Sequence, residues 1–313
     1  MSVAFVFPGQ GSQYVGMGKE FCLNFPEAAA IFQRADDALD FPLSRLCFEG
    51  PEEQLNKTVN TQPAVLAASV ACLEVFKSVG GPVPSAVAGH SLGEFTALVA
   101  AGSLSFEDAV RLVRKRGQYM QEAVPLGTGG MAAVLGISGD AVVEACRKAA
   151  GAGVVEAVNL NCPGQVVIAG DNAGLKAAEP LVKEAGARRF MPLPVSAPFH
   201  SSLMLPAGEK LAGDLEGISI DDPEIPVVAN ASADFVRTGP EVKGSLIRQV
   251  YSPVRWEESV LRLGAYGINT YIEIGPGKVL SGLIKKINRE ALVYHVEDKS
   301  SLEKFLALTR EVS

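Results

Sequence analysis

The chain lacks an excess of positive charge, any CxxC cysteine pair, and all but three histidines in 313 residues. Each shortage narrows the range of functions. A formal net charge of −7 leaves no basic surplus with which to track a phosphate backbone, so nucleic acid is not expected as a main partner. Cys22, Cys47, Cys72, Cys146 and Cys162 are odd in number and scattered. That pattern suggests neither a disulfide framework nor a zinc site, and reduced thiols in a cytosol are the simplest reading. No apolar run approaches the ~20 residues of a helical membrane span. Met1 to Pro8 enter a strand-like segment without the basic and apolar regions of a secretory leader. A soluble, cytoplasmic protein that binds neither a metal nor a membrane is expected.

What the chain does have is ordinary globular composition, 48% hydrophobic and 20% charged, and length enough for one or two domains. Short β-branched or apolar runs at Val3 to Phe7, Ala86 to Gly89 and Thr270 to Ile274 alternate with helical patterns, as at Gln62 to Val79 and Ser105 to Val124. This predicts an α/β fold with a parallel sheet. Residues 127–196 have a different rhythm. Strand-like Met131 to Ile137, helix-like Gly139 to Ala150, strands near Val154 to Leu160 and Gln165 to Gly170, helix-like Ala173 to Ala185 and a strand near Arg188 to Pro194 give the βαββαβ order of a ferredoxin-like unit. The expected organisation is a catalytic body of 1–126 and 197–313 with an inserted ferredoxin-like subdomain at 127–196.

Gly89-His90-Ser91-Leu92-Gly93 fits GxSxG between a strand and a helix, the setting of a nucleophile elbow, although a glycine-bounded turn carrying a solvated serine has the same letters. A serine needs a base. His90 adjoins Ser91 and should point elsewhere, His295 lies in strand-like Ala291 to Val296, and His200 lies on a loop that could face a cleft or serve only structure. Gly9 and Gly11 fail the dinucleotide fingerprint because Tyr14 stands where the third glycine belongs, but amides in that turn could contribute to an oxyanion hole. Gly275-Pro276-Gly277-Lys278 lacks the spacing of a phosphate loop. Ala109, Leu112, Val113, Arg116 and Met120 share one apolar helix face. An inward Arg116 calls for an anion, either an internal carboxylate or a substrate carboxylate held by two prongs.

Phe7 to Gln13 (FPGQGSQ), Gly89 to Glu94 (GHSLGE), Arg116, Asn161 to Gly170 (NCPGQVVIAG), Phe199-His200, and Gln249 before Tyr251-Ser252-Pro253 together resemble the bacterial malonyl-CoA:acyl carrier protein transacylases over almost the whole chain. The resemblance implies an α/β-hydrolase-like core, Ser91 as nucleophile, His200 as base, and the main-chain carbonyl of Gln249 orienting that histidine. It further implies oxyanion donors at the amides of Gln10 and Leu92, and a substrate pocket of Arg116, Phe199, Met120 and Asn161. Malonyl-CoA enters as a substrate, with no resident cofactor, and acyl carrier protein is the implied acceptor. Arg188-Arg189, Lys285-Lys286 and Arg289 are candidate docking cations or ordinary solvated faces. A serine esterase would share the elbow, with Asp171 the one carboxylate to nominate for its triad. A non-catalytic carrier-docking protein would have no use for Ser91, His200 and Arg116 together. Acylation is expected to fall at acid pH near the ordinary imidazole value of ~6.5, shifted by the surroundings of His200.

Overall fold

The computed structural model describes residues 2–195 and 197–310; Met1, Ser196 and residues 311–313, which the expected boundaries include, lie outside the described residues. Among the described residues ten strands form two sheets. They are β1 (Val3–Phe7), β2 (Ala86–Gly89), β3 (Gly129–Leu135), β4 (Val155–Cys162), β5 (Gln165–Asp171), β6 (Arg189–Pro192), β7 (Val227–Ala229), β8 (Asp234–Val236), β9 (Thr270–Ile274) and β10 (Leu292–Val296). The larger sheet runs β10-β9-β1-β2-β7-β8 and is parallel except for the antiparallel edge strand β8. Every residue of β1, β2 and β9 is buried, as expected for parallel strands covered on both faces by helices.

The second sheet is antiparallel throughout, in the order β4-β5-β3-β6. It carries helices Gly139–Ala149 and Asn172–Glu184. Alternation along β3 divides its faces: Ala132 and Val134 pack with those two helices, whereas Met131 and Ala133 turn to the main core. This sheet therefore walls one side of the cleft beside the larger sheet. Its β4 is tied to the main body through main-chain hydrogen bonds between Val254 and both Val158 and Leu160.

The long helix Thr58–Ser78 starts earlier than the expected Gln62, because Asn60 and Thr61 already donate to the Lys57 carbonyl ahead of Pro63. By length and composition it could cross a membrane, contrary to the expectation that no segment would; 89% of its apolar window is buried inside the fold, where it serves as a core helix. It packs along Phe106–Glu122, which is capped by Ser105 accepting from the Asp108 amide. Gly117 makes that approach possible. A Cβ there would lie 2.7 Å from the Thr58 carbonyl oxygen, and the close contact brings Arg116 beside Gln62.

Candidate active site

The carboxyl ends of β1, β2 and β7 lie side by side, with Phe7 registered against Gly89. Ligands of open parallel sheets bind beyond such ends. The turn after β2 is very tight. A Cβ at Gly93 would sit 2.1 Å from the Phe7 carbonyl oxygen, and one at Gly89 would sit 1.9 Å from the Gly93 carbonyl, so neither position admits a side chain. Between them Ser91 is forced to φ 51°, ψ −106°, immediately before helix Leu92–Ala100. Such strain persists only where its surroundings hold it. Here the Ser91 amide donates to Asn230 Oδ1 at 2.6 Å, and Asn230 Nδ2 donates to the Gly89 carbonyl at 2.7 Å.

His200, also left-handed at φ 64°, lies 2.7 Å from Ser91 Oγ through Nε2 and 2.8 Å from the Gln249 main-chain carbonyl through Nδ1. A carbonyl only accepts, so Nδ1 carries the proton and Nε2 is left to accept the serine hydroxyl proton. Burial, aided by the charge of Arg116, pushes the His200 pKa down to about 3. The ring is thus neutral at physiological pH. Its position can deprotonate Ser91 and return the proton to a leaving group.

Arg116 is almost fully buried and adjoins the same serine. One terminal nitrogen, Nη2, donates to Ser91 Oγ at 3.2 Å and to Gln249 Oε1 at 2.9 Å; Nη1 donates to Gln62 Oε1 at 2.8 Å. Burial pushes the Arg116 pKa down to about 10, opposed by the charge of Glu94, and the group stays cationic at neutral pH. Its direct partners are neutral oxygens. The internal carboxylate considered from the sequence does not bind it directly, and Nε is buried without a hydrogen-bond partner. A guanidinium in this state can take a carboxylate from a ligand.

Gln10, Leu92, Met120, Met131 and Phe199 help line a cavity of about 110 Å³ around Ser91, His200 and Arg116. Leu92 opens its helix, where the first amides lack intrahelical acceptors. Asn161 stands one step away: it lines an adjoining cavity of about 240 Å³, and its Oδ1 is 2.9 Å from His90 Nε2. His90 borders both cavities, and that contact directs its ring at Asn161. Gln165, on the wall of the second cavity, also borders a surface groove lined by Arg188, Arg189 and Lys286. Lys285 is engaged with the Ala291 carbonyl. Asp171 caps Asn172–Glu184 by accepting from the Gly174 amide, and also accepts from Val154; it is a structural residue that does not orient His200. Sequence reasoning missed Gln62, Asn230, the side chain of Gln249 and Glu94. The last stands in the GHSLGE segment, where a charged residue in a helix of apolar neighbours was the available signal.

Residues 4–304 match the family model described as acyl transferase domain. The malonyl CoA-acyl carrier protein transacylase of Bacillus subtilis (strain 168) is 52% identical over 99% of this chain and 98% of its own. The crystal structure of the acyl-carrier-protein S-malonyltransferase of Burkholderia pseudomallei 1710b superposes with a TM-score of 0.96 at 50% identity, covering 98% of this chain and all of that one. A malonyl-transacylase solved with its type II PKS acyl-carrier protein superposes at 0.95 with 46% identity, covering 98% of this chain and 99% of that one. The chain therefore belongs to the acyl transferase family, among the malonyl CoA-acyl carrier protein transacylases.

Proposed function

We propose that this enzyme transfers malonyl groups from malonyl-CoA to the phosphopantetheine thiol of acyl carrier protein through a malonyl ester on Ser91. One observation carries the reading: a buried guanidinium with only neutral direct partners lies 3.2 Å from the serine oxygen. An acyl group bonded to that oxygen would bring its own free carboxylate within reach of Arg116, as malonyl does and acetyl does not. Phe199 and Met120 close the apolar side of the pocket, and Asn161 holds His90 at its rim.

In the acylation step His200 Nε2 takes the Ser91 proton as Oγ attacks the thioester carbonyl, and the amides of Gln10 and Leu92 receive the oxyanion. The carbon–sulfur bond breaks and coenzyme A leaves with the proton from His200. The carrier's thiol then yields its proton to His200, attacks the ester, and Ser91 recovers the proton. Every step is served by these groups, so the coenzyme A thioester enters as substrate and not as a resident cofactor. The two cavities share His90 in their walls and the second shares Gln165 with the basic groove, so a pantetheine arm laid from Ser91 along them would bring its phosphate toward that groove. Arg188, Arg189 and Lys286 are the cations suited to an acidic carrier on a protein whose net charge is −7. Carriers of fatty-acid and polyketide synthesis present the same arm; fatty-acid synthesis is the setting we propose, with polyketide synthesis the alternative.

The finer architecture belongs to the same reading. Residues 1–126 and 197–313 make an α/β-hydrolase-like body, supported by the strand–Ser91–helix turn. Residues 127–196 make a ferredoxin-like insertion, supported by the βαββαβ order and antiparallel sheet. Five free cysteines, four of them buried, fit a cytoplasmic setting. Intact-mass measurement after mixing with malonyl-CoA tests the chemistry. A gain of one malonyl group is expected in the wild type and not in Ser91→Ala, and holo acyl carrier protein should discharge it. Label retained by Ser91→Ala would move the nucleophile elsewhere.

A further inference from the structure

Beneath Ser91 the structure holds a carboxylate to which the steps above give no task. Glu94 is fully buried in the first turn of Leu92–Ala100. Its Oε2 accepts from the Asn230 amide and from Gln249 Nε2, both at 2.8 Å, and Oε1 accepts from Ser245 Oγ at 3.4 Å. These partners are the groups that fix the serine. Asn230 holds the Ser91 amide, and Gln249 Nε2 donates to the Ser91 carbonyl at 2.8 Å. Both main-chain polar groups of the strained residue are therefore held by residues anchored on one carboxylate, Gln249 through its side chain and Asn230 through its main-chain amide.

The orientation of the Gln249 amide is unambiguous. Arg116 can only donate, while Glu94 and the Ser91 carbonyl accept, so Oε1 must face the guanidinium and Nε2 the carboxylate. The amide dipole lies between opposite charges and favours both. We propose that Glu94 is a positioning residue, an ionised counter-ion held one glutamine side chain away from Arg116, which steadies the cation without occupying the donors a malonyl carboxylate needs. A carboxylate bound directly to Arg116 would compete with substrate. No carboxylate at all would leave a dry, uncompensated cation beside His200, opposing the imidazolium formed during each proton transfer. The charged or titratable groups facing His200 are Arg116 and His90, and Arg116 faces Glu94. Burial, the largest influence, raises the Glu94 pKa, opposed in part by its hydrogen-bond donors and the charge of Arg116.

This inference rests on the malonyl-transfer reading and is tested by Glu94→Gln. With its amide oxygen at the Oε2 position and its NH2 toward Ser245, the variant can keep every hydrogen bond and lose only charge. Single-turnover acylation with malonyl-CoA and acetyl-CoA is the measurement, with circular dichroism to follow folding. Removing the negative charge should slow acylation by acetyl-CoA about three- to tenfold, because His200 becomes a weaker base beside an unbalanced cation, and should slow acylation by malonyl-CoA less, because its own carboxylate offsets that cation. Half-saturation by malonyl-CoA should improve roughly two- to fivefold, while that by acetyl-CoA stays put, because only malonyl meets the strengthened field. A merely structural role would slow acylation by both donors alike and weaken half-saturation by both. That result, or unchanged kinetics, overturns the proposal.

Gln249→Met supplies a second arm should Glu94→Gln not fold. It keeps the main-chain carbonyl on His200 and removes the amide bridge together with the donor to the Ser91 carbonyl, so acylation by both donors should slow, while half-saturation should weaken roughly tenfold more for malonyl-CoA than for acetyl-CoA; equal weakening of half-saturation for both donors overturns the bridge. Wild-type protein that takes no malonyl label would instead defeat the underlying reading.

Discussion

At the scale of single residues, the proposed mechanism makes Arg116 the selector of the acyl group. Truncation to alanine removes a charged hydrogen-bonded pair with the malonyl carboxylate, and malonyl kcat/KM should fall on the order of a hundredfold or more. Acetyl transfer should hold steady or rise. Arg116→Lys should recover only some of the loss, because an ammonium cannot replace a planar fork that also reaches Gln62 and Gln249. An unchanged malonyl-to-acetyl ratio in Arg116→Ala would make this arginine purely structural. His200 sets the pH response. Its depressed pKa of about 3 keeps the base neutral well below the ordinary ~6.5, so kcat/KM for acylation should stay level from about pH 7 to about pH 5 where the protein remains folded. In the malonyl-enzyme the substrate carboxylate offsets the charge of Arg116, and the acid limb of deacylation should lie higher than that of acylation. Stopped-flow rates for the two half-reactions would measure both limbs, and a bend in acylation near pH 6.5 would contradict the burial argument.

At the scale of elements, Gly117 joins packing to selectivity. A methyl group there meets the Thr58 carbonyl oxygen at 2.7 Å and Val59 Cα at 3.0 Å. Those backbone atoms cannot swing aside, so Gly117→Ala must push the paired helices away from each other. We expect a loss of about 1–3 kcal/mol in stability and a larger loss of malonyl than acetyl transfer, since Arg116 moves away from Gln62. Chemical denaturation and the two acyl assays check it. Much of this level was legible: β1, β2 and β9 begin and end where their apolar runs do, because buried parallel strands leave an uninterrupted pattern. Ser91 and Arg116 could be singled out too, one from its glycine frame and one from helical period, while the choice of His200 rested on the family resemblance; the structure brings the three side chains together. Asn230, Gln62 and Glu94 were not assigned, because a buried polar residue leaves no period, and its partner is fixed only when distant segments meet. The earlier start of Thr58–Ser78 was hidden by Pro63, which reads as a first-turn residue and here lies farther inside the helix.

At the scale of the whole molecule, the buried titrating groups that serve the site also shape stability against pH. His90 and His200 both have pKa values lowered chiefly by burial. As pH falls below the unfolded value of ~6.5, the unfolded chain takes up protons that the folded protein refuses until far lower pH, and stability declines through that window. Glu273 acts in the opposite sense. Buried in β9, with its oxygens accepting from the Leu280 and Ser281 amides, it has a pKa raised to about 7 by burial. Its contribution is therefore present below the unfolded glutamate value of ~4.3 and is lost as pH rises through about 7. Each such group contributes at most ~1.4 kcal/mol per pH unit inside its own window. Denaturant unfolding from pH 4.5 to 8 should then show that His200→Gln flattens the acid slope by up to one proton, whatever its effect on absolute stability. Glu273→Gln should remove the decline in stability approaching pH 7 and leave the acid contribution of His200 in place. Slopes unaltered in both variants would mean that these groups titrate alike folded and unfolded, and the dry interior ascribed to the site would lose its thermodynamic support.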